Sequence, residues 1–122
     1  MSQRDTAVAF LRHIGAGRIR QAFELQVAPH FKHHNPFSKG DGKSLAAGME
    51  ENEARFPGKI LEIQRVVEEG TLVVVHSRLK LPQGAGELAL VHIFRFEGKR
   101  IAELWDIAQP VPAESPNENG MF

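Results

Sequence analysis

The sequence predicts an α+β fold with three helices first and a curved antiparallel sheet after them. Apolar residues recur at helical spacing through the first half of the chain. From Ile60 onward the period changes to two, with runs rich in β-branched residues. Glycine and proline stand at each change of pattern.

The elements follow in order. Ala7, Phe10, Leu11 and Ile14 form one helical stripe, which Gly15 and Gly17 end. Ile19, Ala22, Phe23 and Gln26 or Val27 repeat the spacing and predict a second short helix to about Ala28, stopped by Pro29. Residues 31–38, FKHHNPFS, read as an irregular segment, with a turn at Asn35-Pro36. Asp41 or Ser44 is placed to cap a third helix whose inner face holds Leu45, Gly48, Met49, Asn52 and Phe56. Four strands follow, over residues 60–67, 71–81, 87–96 and 100–109, with turns at Glu69-Gly70 and Glu97-Gly98-Lys99 and a loop from Pro82 to Gly86. Helices on one face of such a meander, with the sheet curling by its own twist, enclose a concave pocket.

The chain has 122 residues, which fits a single domain over 1–112 followed by a Pro-, Asn- and Glu-rich tail over 113–122. Fifteen basic and fifteen acidic side chains cancel. The first sixty residues carry nine Lys/Arg against six Asp/Glu and the rest six against nine, too small an imbalance to indicate nucleic acid or a membrane surface as partner. There is no cysteine, which excludes disulfides, thiolate metal sites and cysteine nucleophiles. The N-terminus is polar, and no apolar run approaches the length of a membrane span, so the expected location is cytoplasmic.

Three ionisable residues interrupt strand runs that otherwise look buried: His76 in VVVHSR, His92 in LALVHIFRF and Asp106 in AELWDIA. A buried ionisable group is costly unless it is paired or used. The hairpin register decides which of them meet. A two-residue loop at Glu97-Gly98 would set His92 opposite Glu103 and turn Asp106 to the other face. A three-residue loop, Glu97 to Lys99, would set His92 opposite Leu104 on the face of Asp106. His33-His34-Asn35 forms a second polar cluster, in which adjacent histidines of an extended segment point apart. Histidine and aspartate are metal-ligand types, but no pair has the spacing of a helical metal site, and no metal is expected. Gly40-Asp41-Gly42-Lys43-Ser44 lacks the glycine spacing and the preceding strand of a phosphate loop.

His34-Asn35-Pro36, Asp41-Gly42-Lys43, Val91-His92-Ile93-Phe94-Arg95, Glu103-Leu104-Trp105-Asp106 and Gln109-Pro110-Val111-Pro112 occur in an order that resembles the SnoaL-like, polyketide cyclase-like family of the nuclear transport factor 2-like superfamily. The resemblance covers nearly the whole chain. It implies a cone-shaped fold, with three helices against a strongly curved sheet, a deep apolar pocket and homodimers. It also implies an aspartate on the last strand acting as acid/base, matched by Asp106, with a nearby histidine, matched by His92. Many relatives carry Asp in place of His92 and His in place of Leu104. The motif near residue 31 usually begins with Tyr and has Gln before the His, where this chain has Phe31 and His33.

The function expected from this reading is aldol cyclisation or isomerisation by proton abstraction next to a carbonyl, without a cofactor. Asp106 would be the base, and His92 would orient the substrate or donate to the developing oxyanion. Candidate substrate contacts are the polar His34, Asn35 and His76 and the apolar Phe23, Met49, Phe56, Phe94 and Trp105. The ligand would be a small apolar or carbonyl-containing molecule. The alternative is a non-catalytic ligand-binding or dimerisation module. Val73, Val74 and Val75, apolar on both faces of a strand, suit a core or a dimer interface.

Overall fold

A computed structural model describes all 122 residues. Three helices, α1 (Gln3–Gly15), α2 (Ile19–Gln26) and α3 (Gly42–Arg55), pack against a sheet of five strands. The strands are β1 (Val27–His33), β2 (Ile60–Glu69), β3 (Leu72–Lys80), β4 (Glu87–Glu97) and β5 (Arg100–Pro110), in the order β1-β5-β4-β3-β2. No helix is long and apolar enough to cross a membrane.

Local chemistry sets the helix ends. Ser2 and Asp5 form a capping box at the start of α1: the Ser2 hydroxyl accepts from the Asp5 amide and the Asp5 carboxylate accepts from the Ser2 amide. At its other end Gly17, at φ +82°, turns the chain toward α2. Asp41 caps α3, accepting from the Ser44 amide at 2.9 Å and the Ser44 hydroxyl at 2.8 Å.

Two features differ from the sequence-based expectation. The second helix stops at Gln26, and Val27 to His33 form a strand rather than helix end and irregular segment. This strand runs parallel to β5, so the sheet is mixed, not antiparallel throughout. Val27, Phe31 and His33 are buried while Pro29 and His30 are exposed. Pro29 is tolerated because β1 is an edge strand, where one side of the backbone has no ladder to complete.

The second difference is the β4–β5 register. Glu97 pairs with Arg100, so the loop is the two residues Gly98 and Lys99, shifted by one from the two-residue alternative. Farther along, Phe96 pairs with Ile101 but Arg95 with Glu103, leaving Ala102 as a bulge. The bulge shifts the pairing by one residue, and His92 comes directly opposite Asp106, a register that neither simple hairpin gives.

The inner face of the sheet carries Val73, Val75, Phe94, Phe96, Ile101 and Leu104, each at most 1% exposed. Phe10 of α1 meets Phe94 edge-on at 5.9 Å and Phe23 of α2 at 5.4 Å, and Phe23 meets Phe31 at 6.0 Å. This aromatic cluster joins both helices and β1 to the sheet. Val74 lies on the outer face, so the valine run divides between core and outside. Beyond β5 the chain is irregular, and Phe122 returns to that outer face, where its ring stacks on His76 at 5.8 Å beneath the Arg78 guanidinium.

Candidate active site

Between α3 and the β3–β4–β5 side of the sheet lies a cavity of about 750 Å³. Its apolar wall is made by Leu45 and Met49 of α3 and by Leu79, Leu88 and Leu90 of β3 and β4. Glu51, Asn52 and Arg55, on the last turns of α3, and Phe37 stand around its mouth. His92, Asp106 and Asn35 supply its polar groups.

Strand alternation explains the placement of the two ionisable groups. Phe94 and Leu104 form an inward pair, and the next inward pair is His92 and Asp106. Asp106 is half-buried, and its Oδ2 accepts from Asn35 Nδ2 at 2.9 Å. The Asn35 amide has a fixed orientation, because its Oδ1 accepts from the Phe37 backbone N–H at 2.8 Å. The Asn35 N–H in turn donates to His33 Nδ1 at 3.0 Å, which leaves the ring proton on Nε2 to donate to the Lys39 carbonyl at 2.5 Å. His33 is thus a buried strut that holds the Asn35 turn.

His92 is 8% exposed. Its Nδ1 and the Oδ1 of Asp106 are both buried without a hydrogen-bond partner in the protein. Burial drives the His92 pKa down to about 4 from 6.5, because the charged ring loses its water; the neighbouring Asp106 charge opposes this only in part. The imidazole is therefore neutral at neutral pH.

This has a consequence for stability. Below pH 6.5 the unfolded chain protonates this histidine while the folded chain keeps it neutral down to about pH 4. The unfolded state binds more protons in that window, so stability is full above it and falls as the pH drops. Lowering the pH from 7 to 5 should cost about 2 kcal/mol through this residue. His92→Gln should lose that part of the slope, as read by urea denaturation at the two pH values; equal slopes would refute it. Glu97, Glu103 and Asp41, whose pKa values are lowered chiefly by hydrogen bonds from His30, His34 and Ser44 respectively, act in a lower window, where their stabilisation is lost as they protonate.

Of the residues singled out in the sequence, the cavity brings together Asp106, His92, Asn35 and Met49. The others lie elsewhere. His34 and Trp105 stack on each other outside the sheet, ring centroids 4.9 Å apart, and His34 Nε2 pairs with Glu103 at 2.6 Å. Of the adjacent histidines it is His33, on the parity of Phe31, that turns inward. His76 is on the outer face, against Arg65 and Phe122, because Val75 and Ser77 take the inward positions of β3. Phe23 and Phe94 belong to the aromatic core, Phe94 stacking behind the His92 ring at 6.0 Å. Phe56 is the half-buried residue that closes the end of α3. The leucines of the wall were not foreseen, although their alternation along β3 and β4 was the available signal. No three His, Asp or Glu side chains converge as metal ligands.

A family model for the SnoaL-like domain matches residues 7–104. The chain belongs to the SnoaL-like family. With it comes membership of the nuclear transport factor 2-like superfamily. Among solved structures, this SnoaL-like chain is similar to IdmH of Streptomyces antibioticus, a proposed polyketide cyclase, with a TM-score of 0.80, 18% identity and 89% and 93% of the two chains covered. It is similar to AclR of Streptomyces galilaeus, a proposed hydroxylase, at TM-score 0.76 and 14% identity over 88% of each chain. An LEH-like epoxide hydrolase of M. tuberculosis matches at TM-score 0.71 and 16% identity, covering 88% of this chain and 82% of its own. No curated protein matches the sequence. At these identities the likeness is one of fold, which hosts more than one chemistry.

Proposed function

We propose that this SnoaL-like protein abstracts a proton next to the carbonyl of a small, largely apolar molecule and so catalyses isomerisation or aldol cyclisation without a cofactor. The observation that carries the reading is the His92–Asp106 pair: two buried polar atoms without protein partners, side by side on the wall of an apolar cavity. The pKa of His92 divides the roles. A neutral imidazole with a pKa of about 4 is a poor base but a good hydrogen-bond donor to a developing oxyanion. Asp106, held by Asn35, is left as the base.

Asp106 takes the α-proton, and the C–H electron pair moves into an enolate whose oxygen accepts from His92. The enolate carbon then attacks a second carbonyl in the same molecule, or, where a carbon–carbon double bond is conjugated with it, the dienolate is reprotonated at its far carbon. The proton on Asp106 returns to the new alkoxide or to carbon.

The test is α-proton exchange in D2O, followed by NMR, over a panel of benzyl alkyl ketones and 1,3-diketones. Exchange that depends on Asp106 supports the reading; a rate equal to that without protein for the whole panel refutes it. Such a result would favour the non-catalytic ligand-binding module.

Homodimerisation belongs to the same proposal. Val67 and Leu72, 59% and 39% exposed, lie beside half-buried Val74 on the outer face of the sheet. Exposed apolar groups clustered on a sheet face support a protein partner there, and a second copy is the simplest one. Light scattering should give twice the chain mass, and Val67→Glu should halve it.

A further inference from the structure

Beside the main cavity lies a smaller annex of about 70 Å³. Met49, Leu79, Leu90 and His92 line both spaces, so the two adjoin at these side chains, while Asp106 lines only the larger one. The walls belonging to the annex alone include Leu11, Ile14, Leu61 and Leu104. Lys59 lies along the annex, and its ammonium is held by Glu53, with the lysine side chain only 11% exposed. Glu53 in turn rests against Gly17, where an added Cβ would come within 2.9 Å of its Oε1. The annex is thus lined mostly by apolar side chains, and the one charged side chain on its wall is already paired.

We propose that this annex is a subsite for a short unbranched alkyl group attached directly to the carbonyl carbon of the ligand. The inference rests on the preceding reading, which sets the carbonyl at His92 and Asp106. From there the substituent that carries the proton taken by Asp106 occupies the large cavity, which Asp106 lines, and the other enters the annex. At about 30 Å³ for each water-sized group, the annex takes a chain of about two or three carbons. It excludes charged and strongly hydrated substituents, because its walls offer them no partner.

Two homologous series test this by calorimetric titration of the intact protein. One is the alkyl phenyl ketones from acetophenone through propiophenone and butyrophenone to hexanophenone. The other is the alkylbenzenes of matching chain length, which lack the carbonyl. Each methylene that enters the annex should tighten binding about fourfold. The gain should stop after butyrophenone, at about fifteenfold over acetophenone. Leu61→Phe should flatten the series by filling the annex, and Leu61→Ala should move the optimum to a longer chain. Thermal unfolding shows that each variant is folded, and the opposite directions keep the test valid if one of them is not.

A rise that stops in both series, with ketones tighter than alkylbenzenes, supports the subsite and the carbonyl reading together. The same rise with ketones no tighter supports the annex and overturns the carbonyl reading. Tighter ketones with no chain-length dependence, or a rise that continues through hexanophenone and ignores Leu61, overturns the subsite alone. Absence of binding in both series overturns both.

Discussion

Asp106→Asn should fold as well as the parent and lose about a thousandfold in the rate of α-proton exchange for any ketone the protein accepts, within the range general bases supply. The substitution keeps size and shape. The Phe37 N–H fixes the Asn35 amide, so Asn35 Nδ2 still points at position 106 and can donate to the amide oxygen that replaces Oδ2. What disappears is the capacity to hold a proton. Stability should stay level or rise, because the parent buries Oδ1 without a partner beside a neutral ring. Exchange rates by NMR together with urea midpoints measure both quantities. Parent-like exchange in a folded variant removes Asp106 from the role of base. Loss of exchange together with loss of fold would assign it to structure.

Phe10→Ala should cost about 3–5 kcal/mol, the range for truncating a buried Phe. Phe10 is 1% exposed and meets both Phe23 and Phe94 edge-on, so its removal breaks two aromatic contacts and leaves a cavity. Domains of this kind have a total stability of about 5–15 kcal/mol. The variant should therefore populate the unfolded state measurably near physiological temperature. Urea denaturation reads the change as a shifted midpoint with an unchanged slope. Phe56→Ala is the contrast. Its half-buried ring at the end of α3 should cost clearly less, and equal costs would contradict the packing described above.

The sequence carried the local elements well and the long-range ones less well. The stripe Ala7, Phe10, Leu11 and Ile14, the cap at Asp41 and the four later strands are written in spacing and side-chain chemistry over a few neighbouring residues. Strand β1 is not. Its pairing with β5 joins Val27 to Ile101, and no local period records a partner that distant. Pro29 read as a stop signal, although at a sheet edge it is compatible with a strand. The inward face of β3 was equally undecided: Val73 and Val75 alternate with Val74 and His76, and only packing against the helices selects the first pair. His34 was preferred over His33 for the same reason, since parity with the buried Phe31 could be used only once that segment was known to be a strand. Phe23 and Phe94 were expected to line the cavity but instead belong to the aromatic core, which leaves leucines to line it.

The bulge at Ala102 bears on how such a protein tolerates insertions and deletions. Everything on β5 after it, Asp106 included, takes its facing from that one unpaired residue. Adding or removing two residues between Ala102 and Asp106 keeps the aspartate inward. Changing the length there by one turns it to the outer side, with Trp105 or Ile107 in its place. Length changes at Gly98-Lys99 are different, because the turn can grow outward without disturbing the pairs beyond it. Related chains should therefore vary freely in the turn and only in steps of two along the strand, unless a one-residue change is matched by loss or gain of the bulge itself.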